Sequence, residues 1–155
     1  MTSLVGKISL VTGGGSGIGR GIALALADKG SKIVLCGRRQ DKVIKSIELI
    51  KESGGEGTGI PTDVSQALDV DRLIKTTLET YGRVDVLVNN AGIGGGGPMH
   101  DHDLEAWHRI IDVNLCGAFL MARAVLPIMR SQQAGHIINI SSDSGLNHYL
   151  GDGAY

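Results

Sequence analysis

The stretch Ile8-Ser9-Leu10-Val11-Thr12-Gly13-Gly14-Gly15-Ser16-Gly17-Ile18-Gly19 carries the clearest chemistry in the chain. A short apolar run passes into closely spaced glycines and then into a helical pattern. Glycines let a backbone approach a phosphate, and the start of a helix offers unpaired N–H groups and a partial positive charge. The segment therefore reads as a cradle for the pyrophosphate of a nucleotide, with a plain glycine turn as the alternative. Its spacing is T-G-x-x-x-G-x-G, filled by Thr12, Gly13, Gly17 and Gly19. No start position in the stretch gives G-x-G-x-x-G, and no Gly-Lys-Ser/Thr follows as in a P-loop.

Other candidates follow later apolar runs. Gly37-Arg38-Arg39 comes after the second run. A carboxylate there would accept from a ribose 2′-OH, whereas arginines suit a 2′-phosphate, so NADP is expected in preference to NAD. Asp63-Val64 follows the third run; its carboxylate suits the amine of an adenine ring, or else Asp63 or Ser65 caps the next helix. Asn89-Asn90-Ala91-Gly92 fits a tight backbone turn against a cofactor, or an ordinary Asn-rich turn. Ser141-Ser142 follows the last run, with Tyr155 downstream. Asn114 lies between Ile111 and Leu115 on a helical stripe, and an amide there is either a structural bond-maker or part of a site.

The elements that must position these residues alternate. Strands are expected at residues 8–11, 32–36, 57–60, 84–88 and 136–140. Between them run helical stripes: Ile18, Ile22 and Leu26, closed by Gly30; Val43, Ile47 and Ile50; Val70, Leu73, Thr77 and Tyr81. The last is Trp107, Ile111, Leu115, Phe119, Ala122 and Leu126, until Pro127 disturbs it. This βαβαβαβαβ order implies an α/β fold, a doubly wound parallel sheet with helices on both faces. Ligands of such sheets bind at the carboxyl ends of the strands, near the point where strand order reverses.

The chain has 155 residues, enough for one domain, and a net charge of −1. That balance offers no electrostatic footprint for nucleic acid. No run is read as long enough to span a bilayer, so no membrane partner is expected. Cys36 and Cys116 read as buried hydrophobes of a reducing, cytoplasmic protein. His100-Asp101-His102 invites a metal reading, but its spacing does not converge on one ion, and no metal is expected. Lys42 and Lys45 read as a solvated helix face. Residues 94–99 read as a pocket border or a solvent loop, and Asp143, His148 and Tyr149 as polar loop residues.

Taken together, these motifs resemble the short-chain dehydrogenases/reductases, over the whole chain and in order. The resemblance implies a Rossmann-like NAD(P)-binding domain over residues 1–155. Gly13, Gly15, Ser16, Gly17, Ile18, Gly19, Arg38, Arg39, Asp63, Val64, Asn90, Ala91 and Gly92 would bind NADP. Hydride transfer between nicotinamide and a carbonyl or secondary alcohol would use Tyr155 as proton donor or acceptor. Ser142, 13 residues earlier, would hold the substrate oxygen, with Asn114 in support. A small-molecule substrate and a homo-oligomer are implied. 3-Oxoacyl-thioester reductases are among the members of similar pattern, while sugars, steroids and small ketones stay open. The family places a lysine four residues after the tyrosine, together with a further helix, strands and a substrate lobe. The sequence given stops at Tyr155, so the expectation is a C-terminally incomplete fragment of a longer oxidoreductase, with the activity of the fragment by itself left open. A nucleotide-binding module without catalysis is the alternative, and an adenylate or flavin binder a third reading.

Overall fold

A computed structural model describes residues 3–95, 98–146 and 155. Gly96, Gly97, His148 and Tyr149 lie outside the described residues. Five parallel strands form a sheet in the order β3-β2-β1-β4-β5: β1 Ile8–Thr12, β2 Lys32–Gly37, β3 Gly57–Pro61, β4 Val86–Asn89 and β5 His136–Asn139. This is a Rossmann-like α/β sheet. Every residue of β1 and β4 is buried, as expected for strands covered on both faces. One face packs Val11, Leu35 and Val88 against Ala23 of helix α1 (Gly17–Asp28) and Val43 and Ile47 of α2 (Gln40–Glu52). The other packs Leu10, Val34 and Leu87 against Leu73 of α3 (Ala67–Tyr81) and Val113, Met121 and Val125 of the last long helix.

That helix has three parts: α4 (Leu104–Ile111), a π-helical stretch (Asp112–Cys116) and α5 (Gly117–Gln132). Its buried residues are Ile110, Val113, Gly117, Met121, Val125 and Met129. The stripe expected from the sequence lies instead largely outward, with Leu115 63% and Phe119 61% exposed. The error is one of phase. The larger side chains sit two positions from the buried ones, about 200° round the helix at 100° per residue. Close approach explains the choice: a Cβ on Gly117 would lie 2.7 Å from Val64 Cγ2. Pro127 does not end the helix, which runs on to Gln132.

By length and composition Leu104–Gln132 is also apolar enough to cross a bilayer, contrary to the sequence reading. Here its inner side packs on the sheet. The same small-residue logic corrects α1, where Gly19, Ala23 and Ala27 are buried and Ile18 is 67% exposed. Cys36 is buried as expected, and burial pushes its thiol up to about 12, whereas Cys116 is only half-buried.

An ionic cluster fixes the amino ends of the strands, away from the glycine loop. Asp85 accepts from Arg83 Nε and Nη2 at 2.8 and 2.6 Å, from Lys7 Nζ at 3.2 Å and from Ile8 N–H at 3.0 Å. Burial alone would raise this carboxyl, but the hydrogen bonds from Arg83, Ile8 and Lys7 outweigh it and hold it below its ordinary value.

Candidate functional site

The sheet order reverses between β1 and β4, where the glycine loop and the Asn90-Ala91-Gly92 segment leave side by side; that segment is extended rather than the tight turn expected from the sequence. Thr12 joins them. Its Oγ1 accepts from the N–H groups of Asn90 and Ala91, both at 2.9 Å, and donates to Val88 O at 3.3 Å. Asn90 answers from the other side, donating from Nδ2 to Thr12 O at 2.9 Å and Gly13 O at 3.4 Å. Asn90 is thus a clamp between the two loops.

The glycine spacing follows from that clamp. A Cβ on Gly13 would lie 2.9 Å from Asn90 Nδ2, and Gly13 adopts φ +66°. A Cβ on Gly19 would collide with Asn90 Nδ2 and Gly13 O, so helix α1 starts hard against the loop. Gly17, at φ +52°, makes the turn into that helix, a left-handed conformation that other side chains resist. Arg20 braces the loop, donating from Nη2 to Gly15 O and from Nε to Ser46 Oγ. Ser16 stands at the N-cap without a side-chain cap bond, and the first turn holds no acid. The positive end of α1 is therefore left to an anion.

Two clefts meet at this segment, sharing Val64, Ala91 and Gly92. The first, about 180 Å³, is lined by Gly13, Gly15, Ser16, Arg38, Arg39 and Asp63, with Lys42 and Val113. Lys42 is exposed, as read for a solvated helix face, and it also borders the cleft. Arg39 donates from Nη2 to Ser16 Oγ at 3.3 Å, tying Arg39 to the loop. Asp63 Oδ1 accepts from Ser65 N–H at 3.1 Å and Ser65 Oγ at 2.7 Å, an Asx-type turn. Neither residue caps α3, whose N-cap is Gln66. Among the described residues, Val64 N–H has no acceptor.

The second cleft, about 650 Å³, brings together Ile18, Asn90, Asn114, Ser142 and Tyr155. Asn114 stands on the π-helical stretch rather than on a regular apolar stripe. Its amide pairs with the backbone of Ile93, accepting from N–H at 2.9 Å and donating to O at 3.0 Å. That reciprocal pair pins the segment following Gly92. Gly94 lies beside the Tyr155 ring, where an added Cβ would sit 3.7 Å from Cδ2. Ser142 Oγ accepts from Ser144 N–H at 3.2 Å. Gly17 and Gly19 line neither cleft; they shape the loop that does.

Sequence reasoning missed the bracing by Thr12 and Arg20, and the cross-strand bond of Asn89. Asn89 Nδ2 donates to Asn139 Oδ1 at 2.9 Å across β4 and β5. His100 pairs with Asp101, and His102 packs edge-on to Trp107. Among the described residues no group of three His, Cys, Asp or Glu side chains is placed to hold a metal ion.

The sequence and fold are similar to those of known proteins. A family model described as short chain dehydrogenase matches residues 7–155. An uncharacterized oxidoreductase of Staphylococcus aureus (strain MRSA252) is 41% identical over 145 residues, 94% of this chain and 62% of the relative. One from Listeria monocytogenes serovar 1/2a is 40% identical over 149 residues, 96% and 60% of the two chains. The chain thus spans about three fifths of the length of these curated relatives. Among solved structures, a metagenomic short-chain oxidoreductase in complex with NADP superposes with a TM-score of 0.94 at 39% identity, over 99% of this chain and 70% of that one. An NAD+-bound xylitol dehydrogenase gives 0.95 at 32% identity, over 99% and 60%. With the family match running from Lys7 to Tyr155, the chain belongs to the short-chain dehydrogenase family.

Proposed function

We propose that this chain is the cofactor-binding and proton-donating part of an NADP-dependent oxidoreductase acting on a carbonyl or secondary alcohol. The observation that carries the reading is the pair of adjoining clefts at the β1/β4 switch point, one lined by Arg38, Arg39 and Ser16, the other by Ser142 and Tyr155. The glycine cradle, closed to side chains by Asn90, fits a dinucleotide backbone. The uncapped start of α1 would meet the pyrophosphate, and Arg38 and Arg39 the 2′-phosphate. Asp63 and Val64 N–H would meet the adenine edge. When bound, the cofactor supplies or accepts a hydride. NADP in a solved relative supports the preference, while NAD+ in another makes the arginines the deciding feature here.

Tyr155 carries the only phenol among the described residues of the second cleft. Its hydroxyl proton passes to the substrate oxygen in reduction and returns in oxidation, and Ser142 Oγ holds the same oxygen by a hydrogen bond. Asn114 holds the cleft wall through Ile93. The outward Leu115, Phe119 and Leu126 face of the long helix supports a homo-oligomer, and the free Cys36 and Cys116 support a reducing, cytoplasmic setting.

The test is reduction of a ketone panel with NADPH by the protein and by Tyr155→Phe. Turnover lost in the variant with NADPH binding kept is the expected result. Binding without turnover in the unaltered protein favours a nucleotide-binding module. Preference for ATP or FAD refutes the dinucleotide reading.

A further inference from the structure

We infer that Arg109 is a positioning residue for the adenine-edge acceptor, acting through Asp63; the inference rests on the dinucleotide reading above. Asp63 has one committed oxygen and one open one. Oδ1 already accepts twice from Ser65, and the Asp63 N–H donates to Asp69 Oδ2 at 2.9 Å, so backbone and one oxygen are fixed. Oδ2 accepts no hydrogen bond among the described residues. It faces Arg109 Nη2 at 3.9 Å, within ion-pair reach but beyond a hydrogen bond. The charge orients Oδ2 while leaving its lone pairs for an incoming amine.

The choice of partner is informative. On its own helix Arg109 has Glu105 four residues before it and Asp112 three after, both exposed carboxylates at helical contact spacing. Among the described residues it pairs with neither and reaches across to Asp63. The same helical unit carries Val113, a wall of the first cleft, and Asn114. Arg109 therefore ties the cleft floor on the β3–α3 loop to the helix that walls it.

The experiment is a double-mutant cycle on NADPH affinity, read by cofactor fluorescence, with NADH titrated in parallel. Arg109→Ala should weaken NADPH about 3- to 5-fold, the ceiling for a half-exposed ion pair. NADH should weaken by the same factor, because the adenine edge is common to both. In an Asp63→Ala background the Arg109 effect should vanish, to within about 1.5-fold. Asp63→Asn, which keeps an oxygen for Ser65, runs as a parallel background. Arg109→Lys should restore most of the affinity. A merely structural role would give the same loss with and without the Asp63 carboxylate, and that result overturns the inference, as does no loss at all. A loss confined to NADPH would place Arg109 on the 2′-phosphate and also overturn it. Failure of the unaltered protein to bind either cofactor would instead refute the dinucleotide reading, and the inference with it.

Discussion

Thr12→Val isolates the joint between the two loops. Valine matches threonine in shape, so the change removes hydrogen bonding with little loss of packing. In the native protein one buried hydroxyl accepts from two backbone N–H groups at 2.9 Å and donates to Val88 O. Stranding a buried donor costs about 1–3 kcal/mol. Asn90 and Ala91 are only half-buried, which puts each at the low end, so the sum is about 2–3 kcal/mol. That is a large share of an ordinary domain stability of roughly 5–15 kcal/mol. Urea unfolding followed by circular dichroism should show a lower midpoint at unchanged slope. Because Ala91 and Gly92 wall both clefts, NADPH affinity should fall by about tenfold, equivalent to 1.4 kcal/mol. Thr12→Ser keeps the oxygen and should recover most of both losses. A Thr12→Val protein within about 0.5 kcal/mol of the original, binding NADPH equally, would refute the claim that this hydroxyl builds the site.

Gly19→Ala should cost about 1–3 kcal/mol, despite the better helix propensity of alanine, because its Cβ would meet Asn90 Nδ2 and Gly13 O; thermal melts measure it. Gly21, one helix neighbour with open space around its Cβ position, is the control and should tolerate alanine. Asp85→Asn should destabilise by about 3 kcal/mol at pH 7, the low end for a buried ion pair because Arg83 and Lys7 are themselves half-exposed. The Asp85 carboxyl is held below its ordinary 3.8, so its contribution is full above that value and is lost as pH falls through the lowered one. Urea midpoints from pH 7 to 2 should therefore show the gap between the two proteins closing only at the acid end.

The strands and the glycine loop were legible because their signals are local: β-branched runs, glycine punctuation and arginines just past a strand. Strand ends moved by one or two residues, as at β4, where Val84 and Asp85 stand before the ladder. The face of the long helix was not legible. Hydrophobic size pointed to Leu115 and Phe119, but the sheet accepts Gly117 and Met121, because close approach to Val64 rewards a missing side chain. Nor did the sequence separate ligand contacts from braces. Asn90 reads equally well as either, and only its reach to Thr12 and Gly13 makes it a brace. Thr12 could be marked as part of the motif, but its work depends on Asn90 and Ala91, nearly eighty residues away. Arg109 carried no signal at all, since its partner Asp63 lies on another element.

The central claim is that the first cleft holds a dinucleotide with a 2′-phosphate on Arg38 and Arg39. Titration of NADPH and NADH into the protein and into the Arg38→Ala/Arg39→Ala double variant tests it most directly. Charge-assisted bonds to phosphate contribute about 1.5–3 kcal/mol, so NADPH should bind at least about tenfold tighter than NADH. The double variant should lose that preference while keeping its NADH affinity. An unaltered protein that binds NADH as tightly as NADPH, or a preference that survives loss of both arginines, would contradict it.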